Sequence, residues 1–375
     1  MIEGPAQEPD RIYGAPHPRE TIRLYGQKKA ETVLLEAFLS GKMHHGWLLN
    51  GPAGIGKATL AWRMARFLLA TPVNDGAGKP GDPPQCPDSL DISPDHPVSR
   101  RVAAGTDPGM YVIRRRVNEN SGRLQDQIVA DSVRDLNRFL GLSAADGGRR
   151  VVIVDSADDM NEQAANALLK MLEEPPRRTT FFLISHKPAK LLPTIRSRCL
   201  NLRLEMLEAE NVSRALAQAG LDIGDGKQAL YELSGGSVGK ALRLTNLDGL
   251  DLYAEVVALA GSFPGLDRAR SLKLAESVSV RGEEERLELL YILFDLFLSR
   301  LARFGATGQS AAEAVPGETE VFARLSPSLA MAQRWADCAL QIGARASEGM
   351  EVNLDPMSMV LDTVFLMRDA AGARK

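Results

Sequence analysis

Residues 50–59 read NGPAGIGKAT, and the fold turns on that decapeptide. Gly51, Gly56 and Lys57 stand at the spacing of a loop whose backbone N–H groups cradle phosphate, with a lysine reaching the outer oxygens. Such a loop needs a strand before it and a helix after it. HHGWLLN (44–50) is a short apolar run ending at the first glycine, which reads as a buried strand. ATLAWRMARFLLA (58–70) sets Leu60, Ala61, Met64, Phe67 and Leu68 at helical spacing. Strand, glycine loop and helix together make a P-loop, with backbone donors and a helix N-terminus aimed at an anion.

Outward from the loop the pattern repeats. MYVIR (110–114), VVIVD (151–155) and FFLI (181–184) read as further strands, and Thr32 to Leu39, Asp126 to Leu140 and Glu162 to Glu173 as helices. Strands alternating with helices imply a parallel sheet covered on both faces. Residues 1–20 carry four prolines and read as a loosely held arm; 71–109, crowded with Pro, Gly and Asp, read as an irregular insertion. After about residue 205 the strand signal stops. Helices are expected on both sides of a turn at Ser234 to Gly236, and ERLELLYILFDLFLSRLARF (285–304) is strongly apolar and periodic. The expected organisation is an arm (1–20), an α/β P-loop domain (21–205), a small helical domain (206–249) and an all-α C-terminal domain (250–375).

A chain of 375 residues has room for two or three domains. A formal charge of −3 provides no global basic field, so any meeting with nucleic acid goes through a local patch or a complex. No run of some 18 apolar residues suggests a membrane span, and the polar N-terminus lacks a signal-peptide core. Three widely separated cysteines, Cys86, Cys199 and Cys338, fit a reducing cytoplasm.

Two groups required for hydrolysis are missing. Position 58 should be Ser or Thr, whose hydroxyl holds Mg²⁺, and it is Ala58. Thr59 carries a hydroxyl but is turned by roughly 100° along a helix. Asp155, closing VVIVD, stands where a strand-end carboxylate would hold the metal shell, yet its neighbour is Ser156 rather than a carboxylate base. Asp158 could in principle reach the site; the favoured reading has Asp158 or Asp159 capping the next helix. The run Arg114-Arg115-Arg116 fits a phosphate backbone or, more simply, pairing with acidic neighbours. His44-His45 fits packing or capping better than metal binding.

GWLLNGPAGIGKATLA, VVIVDSADDMNEQAANALLKMLEEPP, FFLIS and LLPTIRSRC, in this order and separation, resemble the clamp-loader AAA+ proteins over roughly residues 20–245. The pairing of ALLKMLEEPP with IRSRC is the specific part. The resemblance implies a RecA-like sheet, a helical lid and a C-terminal collar that assembles with other subunits. It points to the non-hydrolysing member of such a complex. By that resemblance Arg198, between Ser197 and Cys199, is an arginine finger reaching the ATP site of a neighbour, with Arg196 as local competitor, and Ser185 occupies the position that senses a γ-phosphate. A guanidinium is permanently charged and its fork matches phosphate oxygens. Gly51, Gly54, Gly56, Lys57, Thr59, Asp155 and Ser185 are the expected nucleotide-site positions. No cofactor is required, and binding of ATP or ADP is left open. The insertion has only Cys86 where relatives carry a four-cysteine module, so no zinc and no other metal is expected. Gly236-Ser237 lead to Val238, Gly239 and Lys240 rather than to a second sensor arginine. The implied partners are the ATPase and delta-type subunits of a hetero-oligomer, with the sliding clamp and primed DNA met through the complex. Polymerase activity belongs to the whole assembly. Two other readings stand beside this one: an active AAA+ ATPase using Lys57 and Asp155, and a small-molecule P-loop kinase.

Overall fold

The strand that opens the P-loop lies inside a five-stranded, all-parallel sheet of order β2-β3-β4-β1-β5. The computed structural model describes residues 8–372, apart from 13, 72–86, 119–123, 142–147, 222 and 281–283. The chain divides into two units, the first comprising residues up to 221 with 237–239, the second the remainder. In order, the first unit runs α1 (Lys28–Leu39), β1 (Gly46–Asn50), α2 (Lys57–Ala70), α3 (Pro97–Ala103), β2 (Met110–Ile113), α4 (Ala130–Gly141), β3 (Arg150–Val154), α5 (Glu162–Glu173), β4 (Thr179–Ser185), α6 (Pro193–Arg198), β5 (Leu200–Arg203) and α7 (Ala209–Gln218). This is the α/β P-loop architecture, a parallel sheet flanked by helices, that the sequence led us to expect.

Continuous apolar runs become the central strands because both sheet faces are covered. All residues of β1 and β4 are buried, as are Val151–Val154 of β3. On one face Leu48, Val152, Phe181 and Leu183 pack with Val133 and Leu136 of α4 and with Leu168 and Leu172 of α5. β5 escaped sequence reading. Of Leu200–Arg203 only Leu202 faces inward, as suits a four-residue edge strand with no apolar run.

α2 is buried along nearly its whole length, Arg63 and Arg66 included. The arm and the residues just after it cover it. Arg66 donates to the carbonyls of Arg19 and Thr21, both at 2.7 Å, and Arg63 donates to the carbonyl of Ile22. His17, fully buried, meets Trp62 edge-on with centroids 5.7 Å apart, and its Nε2 lies 3.0 Å from Asp10 Oδ2. The described part of residues 1–20 is therefore pinned by buried contacts where the proline count suggested a loose arm. Within 71–109, the described portion contains α3, started by His96 accepting from Val98 N with Pro97 in the first turn. Proline at that position donates no needed N–H and has helical φ, so a Pro-rich stretch can begin a helix. Cys86 lies outside the described residues.

The second unit is all helical: α8 (Lys227–Ser234), α9 (Val238–Asn246, whose first two residues group with the first unit), α10 (Gly249–Gly261), α11 (Arg268–Ser277), α12 (Glu284–Thr307), α13 (Glu318–Leu325), α14 (Leu329–Glu351) and α15 (Pro356–Gly372). α12 buries Leu290, Phe294, Phe297, Leu298 and Leu301 and packs against α10, α13 and α14. A charged group, Glu318, lies in this core. Glu318, 1 % exposed, accepts from Arg300 Nε and from Ala314 N, and takes the Tyr253 hydroxyl. Its oxygens are satisfied, which is the condition for burying a carboxylate.

Candidate functional site

The glycine loop is folded upon itself and covered by its own chain. Gly54 has φ +74°, and a Cβ there would stand 2.8 Å from the backbone of Gly239. Gly239 N donates to Gly54 O at 2.9 Å and Ser237 Oγ to Ala53 O at 2.9 Å. Gly56, φ +97°, starts α2 in the left-handed region, and a Cβ there would strike Leu24. Both glycines therefore allow close approach, and the observed neighbours are Ser237, Gly239 and Leu24.

Lys57 is 3 % exposed, and its Nζ donates to Gly51 O at 2.6 Å and to Pro52 O. Burial pushes the ammonium down to about 8, against the pull of Asp155 and Asp158. Burial pushes the Asp155 carboxyl up to about 7, with Asp10 of the arm adding to the rise and Lys57 opposing it. Burial and the charge of Lys57 lower His186 to about 4, so its imidazole is neutral at physiological pH. Lys57, Asp155, Asp158, Ser185 and His186 thus form one electrostatic cluster below the loop. Ala58 supplies no oxygen to it, and Thr59 is half-buried one position further along α2.

Asp158 has a different role from the one expected. It caps no helix. Ser185 Oγ donates to Asp158 Oδ1 at 2.6 Å, and the N–H groups of His186 and Lys187 donate to Oδ2. The cap of α5 is Asn161, whose Oδ1 accepts from Ala164 N at 2.8 Å. Asp158 sits in a short 3₁₀ turn, Ala157–Asp159, which aims it across to the end of β4. The Ser185 hydroxyl is consequently engaged by a carboxylate inside the chain.

The arginine run resolves into ion pairs. Arg114 meets Asp10 at 2.6 Å and Glu8 at 3.1 Å, Arg115 meets Asp159 at 3.4 Å, and Arg116 meets Asp135 at 2.9 Å. Burial opposes ionisation of Asp10, yet His17 and Arg114 hold its carboxyl below the ordinary value. His44 and His45 stack at 4.2 Å, and His44 Nδ1 lies 2.8 Å from Gly46 O, a packing and capping geometry. Among the described residues no group of three or more His, Cys, Asp or Glu could hold a metal ion.

Arg198 lies elsewhere, at the end of α6. A pocket of about 430 Å³ opens beside it, lined by His44, His45, Glu173, Ser197 and Arg198 among others. Arg198 Nη1 donates to Thr194 O at 3.0 Å and lies 3.4 Å from Ser197 Oγ; Nη2 is 2.7 Å from Glu173 Oε1. The Arg198 side chain is 35 % exposed, whereas Cys199 next to it is buried, with its thiol raised to about 11 by burial. Arg196 is exposed on the same helix. Sequence reading did not single out Glu173; the tract EEPP ending α5 was its signal.

Comparison with known proteins gives a consistent answer. The family described as "DNA polymerase III, delta subunit" matches residues 26–208. The chain is 39 % identical over 214 residues to the DNA polymerase III subunit delta' of Pseudomonas aeruginosa, covering 57 % of this chain and 59 % of that protein. It is 30 % identical over 300 residues to the subunit delta' of Escherichia coli, covering 79 % of this chain and 81 % of that one. A solved structure of a DNA polymerase III gamma subunit-related protein from Thermotoga maritima covers 90 % of this chain and 99 % of that chain, with 18 % identity and a TM-score of 0.41. On the extent of the match to the Escherichia coli subunit, the chain belongs to the delta-prime family of DNA polymerase III subunits.

Proposed function

We propose that this chain is the non-hydrolysing stator of a DNA polymerase III clamp loader, lending Arg198 in trans to ATP held by a neighbouring ATPase subunit. The observation carrying this reading is the contrast between its two sites. Its own nucleotide site fits metal-assisted hydrolysis poorly. Ala58 offers no metal ligand, Lys57 is engaged by the loop's own carbonyls, Ser185 by Asp158, and burial disfavours the charged form of Asp155. Arg198, by contrast, lines a pocket and its side chain is partly exposed.

The role of Arg198 is electrostatic. Negative charge spreads over the transferring phosphoryl group, and a fixed guanidinium stabilises it without itself forming or breaking a bond. Such fingers are worth about 10³–10⁵ in rate. The partners on this reading are ATPase and delta-type subunits in a hetero-oligomer, and sliding clamp and primed DNA are met through that complex in the cytoplasm. The helical domains following residue 205 serve as lid and as collar. No described helix is long and apolar enough to cross a membrane. The chain needs neither nucleotide nor zinc, and ATP or ADP would have to displace the two Lys57 contacts to enter.

The test is ATP turnover by the purified chain alone. The expected result is no turnover above background, equal in wild type and Lys57→Ala. Turnover that vanishes in Lys57→Ala would make the chain a motor in its own right.

A further inference from the structure

We infer that Glu173 is a positioning residue for the finger, fixing the plane of the Arg198 guanidinium while leaving donors available for a partner's phosphate. This deepens the reading of Arg198 above and rests on it.

The first observation is that Glu173 is electrostatically misplaced as a helix residue. A carboxylate at the C-terminal end of a helix faces the negative end of the dipole. Glu173 is the last residue of α5, and Glu174 follows it with a second carboxylate. The helix must end there, because Pro175 disfavours the helical conformation of the residue before it, and Glu174 is found at φ −122°, ψ 69°. A local rule broken at an exposed position, with a compensating partner in reach, marks a site rather than a scaffold. That partner is Arg198, at 2.7 Å.

The second observation is donor arithmetic. A guanidinium carries five N–H donors. Thr194 O and Ser197 Oγ accept from Nη1 and Nη2 forms an ion pair with Glu173, and among the described residues no acceptor is found for Nε. The anchors lie on different elements: Thr194 and Ser197 on α6, Glu173 on α5. Anchors on two separate, packed helices fix a plane, where those on α6 alone would leave the side chain free to swing. α5 and α6 are held together through Leu172, Ile195 and Cys199 in the same core. The pair is half-exposed, so it orients without locking the charge away. It also accounts for the joint presence of ALLKMLEEPP and IRSRC, which meet here.

The effect should fall on the chemical step, since preorganised charge acts on the transition state more than on ground-state binding. The experiment uses the complete clamp loader reconstituted with sliding clamp and primed DNA, with ATPase kinetics for wild type, Arg198→Ala, Glu173→Ala, Glu173→Gln and the double variant Arg198→Ala/Glu173→Ala. Assembly is followed by gel filtration. Glu173→Ala should lower kcat roughly tenfold with KM for ATP nearly unchanged, a smaller loss than Arg198→Ala because misplacement costs less than removal. Glu173→Gln, which keeps an acceptor oxygen, should retain more than half the wild-type kcat. In the Arg198→Ala background the second substitution should add nothing. Full activity of Glu173→Ala beside a crippled Arg198→Ala overturns the positioning role and leaves the finger standing. A Glu173→Ala loss that persists undiminished without Arg198 also overturns it, as a general structural defect. If Arg198→Ala itself costs nothing, the finger reading fails first, and this inference with it. Should Glu173→Ala fail to assemble, the kcat of Glu173→Gln decides: activity as low as that of Arg198→Ala contradicts the role given to the acceptor oxygen.

Discussion

At the scale of single residues, the glycine loop and Arg198 differ in where their charge is directed. Lys57 is turned toward backbone carbonyls and Ser185 toward Asp158, whereas Arg198 Nε has no acceptor among the described residues. The Asp155 carboxyl provides a check on this inward-facing cluster. Its folded value, about 7, lies above the ordinary 3.8, mainly through burial. A carboxyl raised in this way favours folding fully below the unfolded value, and that contribution is lost as pH rises through about 7. Between about pH 5 and about pH 7.5, Asp155→Asn should therefore flatten the fall in stability seen in wild type, with the variant the more stable of the two, relative to its own value at pH 5, at the upper end. Calorimetric melting temperatures at the two pH values measure this. Parallel pH dependence in the two proteins would show that Asp155 is not held in a desolvated site. The missing hydroxyl at Ala58 was legible in sequence. The engagement of Ser185 by Asp158 was not, because it joins residues 27 apart in sequence whose meeting depends on β3 and β4 pairing in register.

At the scale of elements, sequence periodicity placed each strand of the sheet except β5 and placed α2, α5 and α12 closely. The misses have physical causes. β5 is a short edge strand with a single inward residue, so no alternation long enough to notice exists. α3 starts on Pro97, a residue that reads as a breaker unless its first-turn position is known. The arm appeared loose because its contacts are made by Arg63 and Arg66, charged residues in an α2 pattern that reads as surface. The cap of α5 was assigned to an aspartate when the following Asn161 performs it. Asn161→Ala should cost about 1 kcal/mol of stability, the usual worth of an N-cap, measured by thermal or urea unfolding. Loss of stability within error of zero would mean that the Asn161–Ala164 bond does not hold the first turn of α5. A stable α5 matters for function because its far end carries Glu173.

At the scale of the whole molecule, the helical character after residue 205 was visible as the disappearance of strand signal. The buried Tyr253–Arg300–Glu318 network of the helical unit was not, since nothing in ETEVFARL marks its first glutamate as a core residue. The division of labour suggested by the sites is that the chain contributes charge to hydrolysis next door and performs none. That account is tested most directly by ATPase rates of the reconstituted clamp loader carrying Arg198→Ala or Lys57→Ala in this subunit alone. Arg198→Ala should lower hydrolysis at the adjoining ATP site by about 10³ or more, with assembly intact, and Lys57→Ala should leave hydrolysis within about twofold of wild type, far from the tenfold that about 1.4 kcal/mol of transition-state stabilisation would represent. Full hydrolysis with Arg198→Ala, or its collapse with Lys57→Ala, would contradict the account.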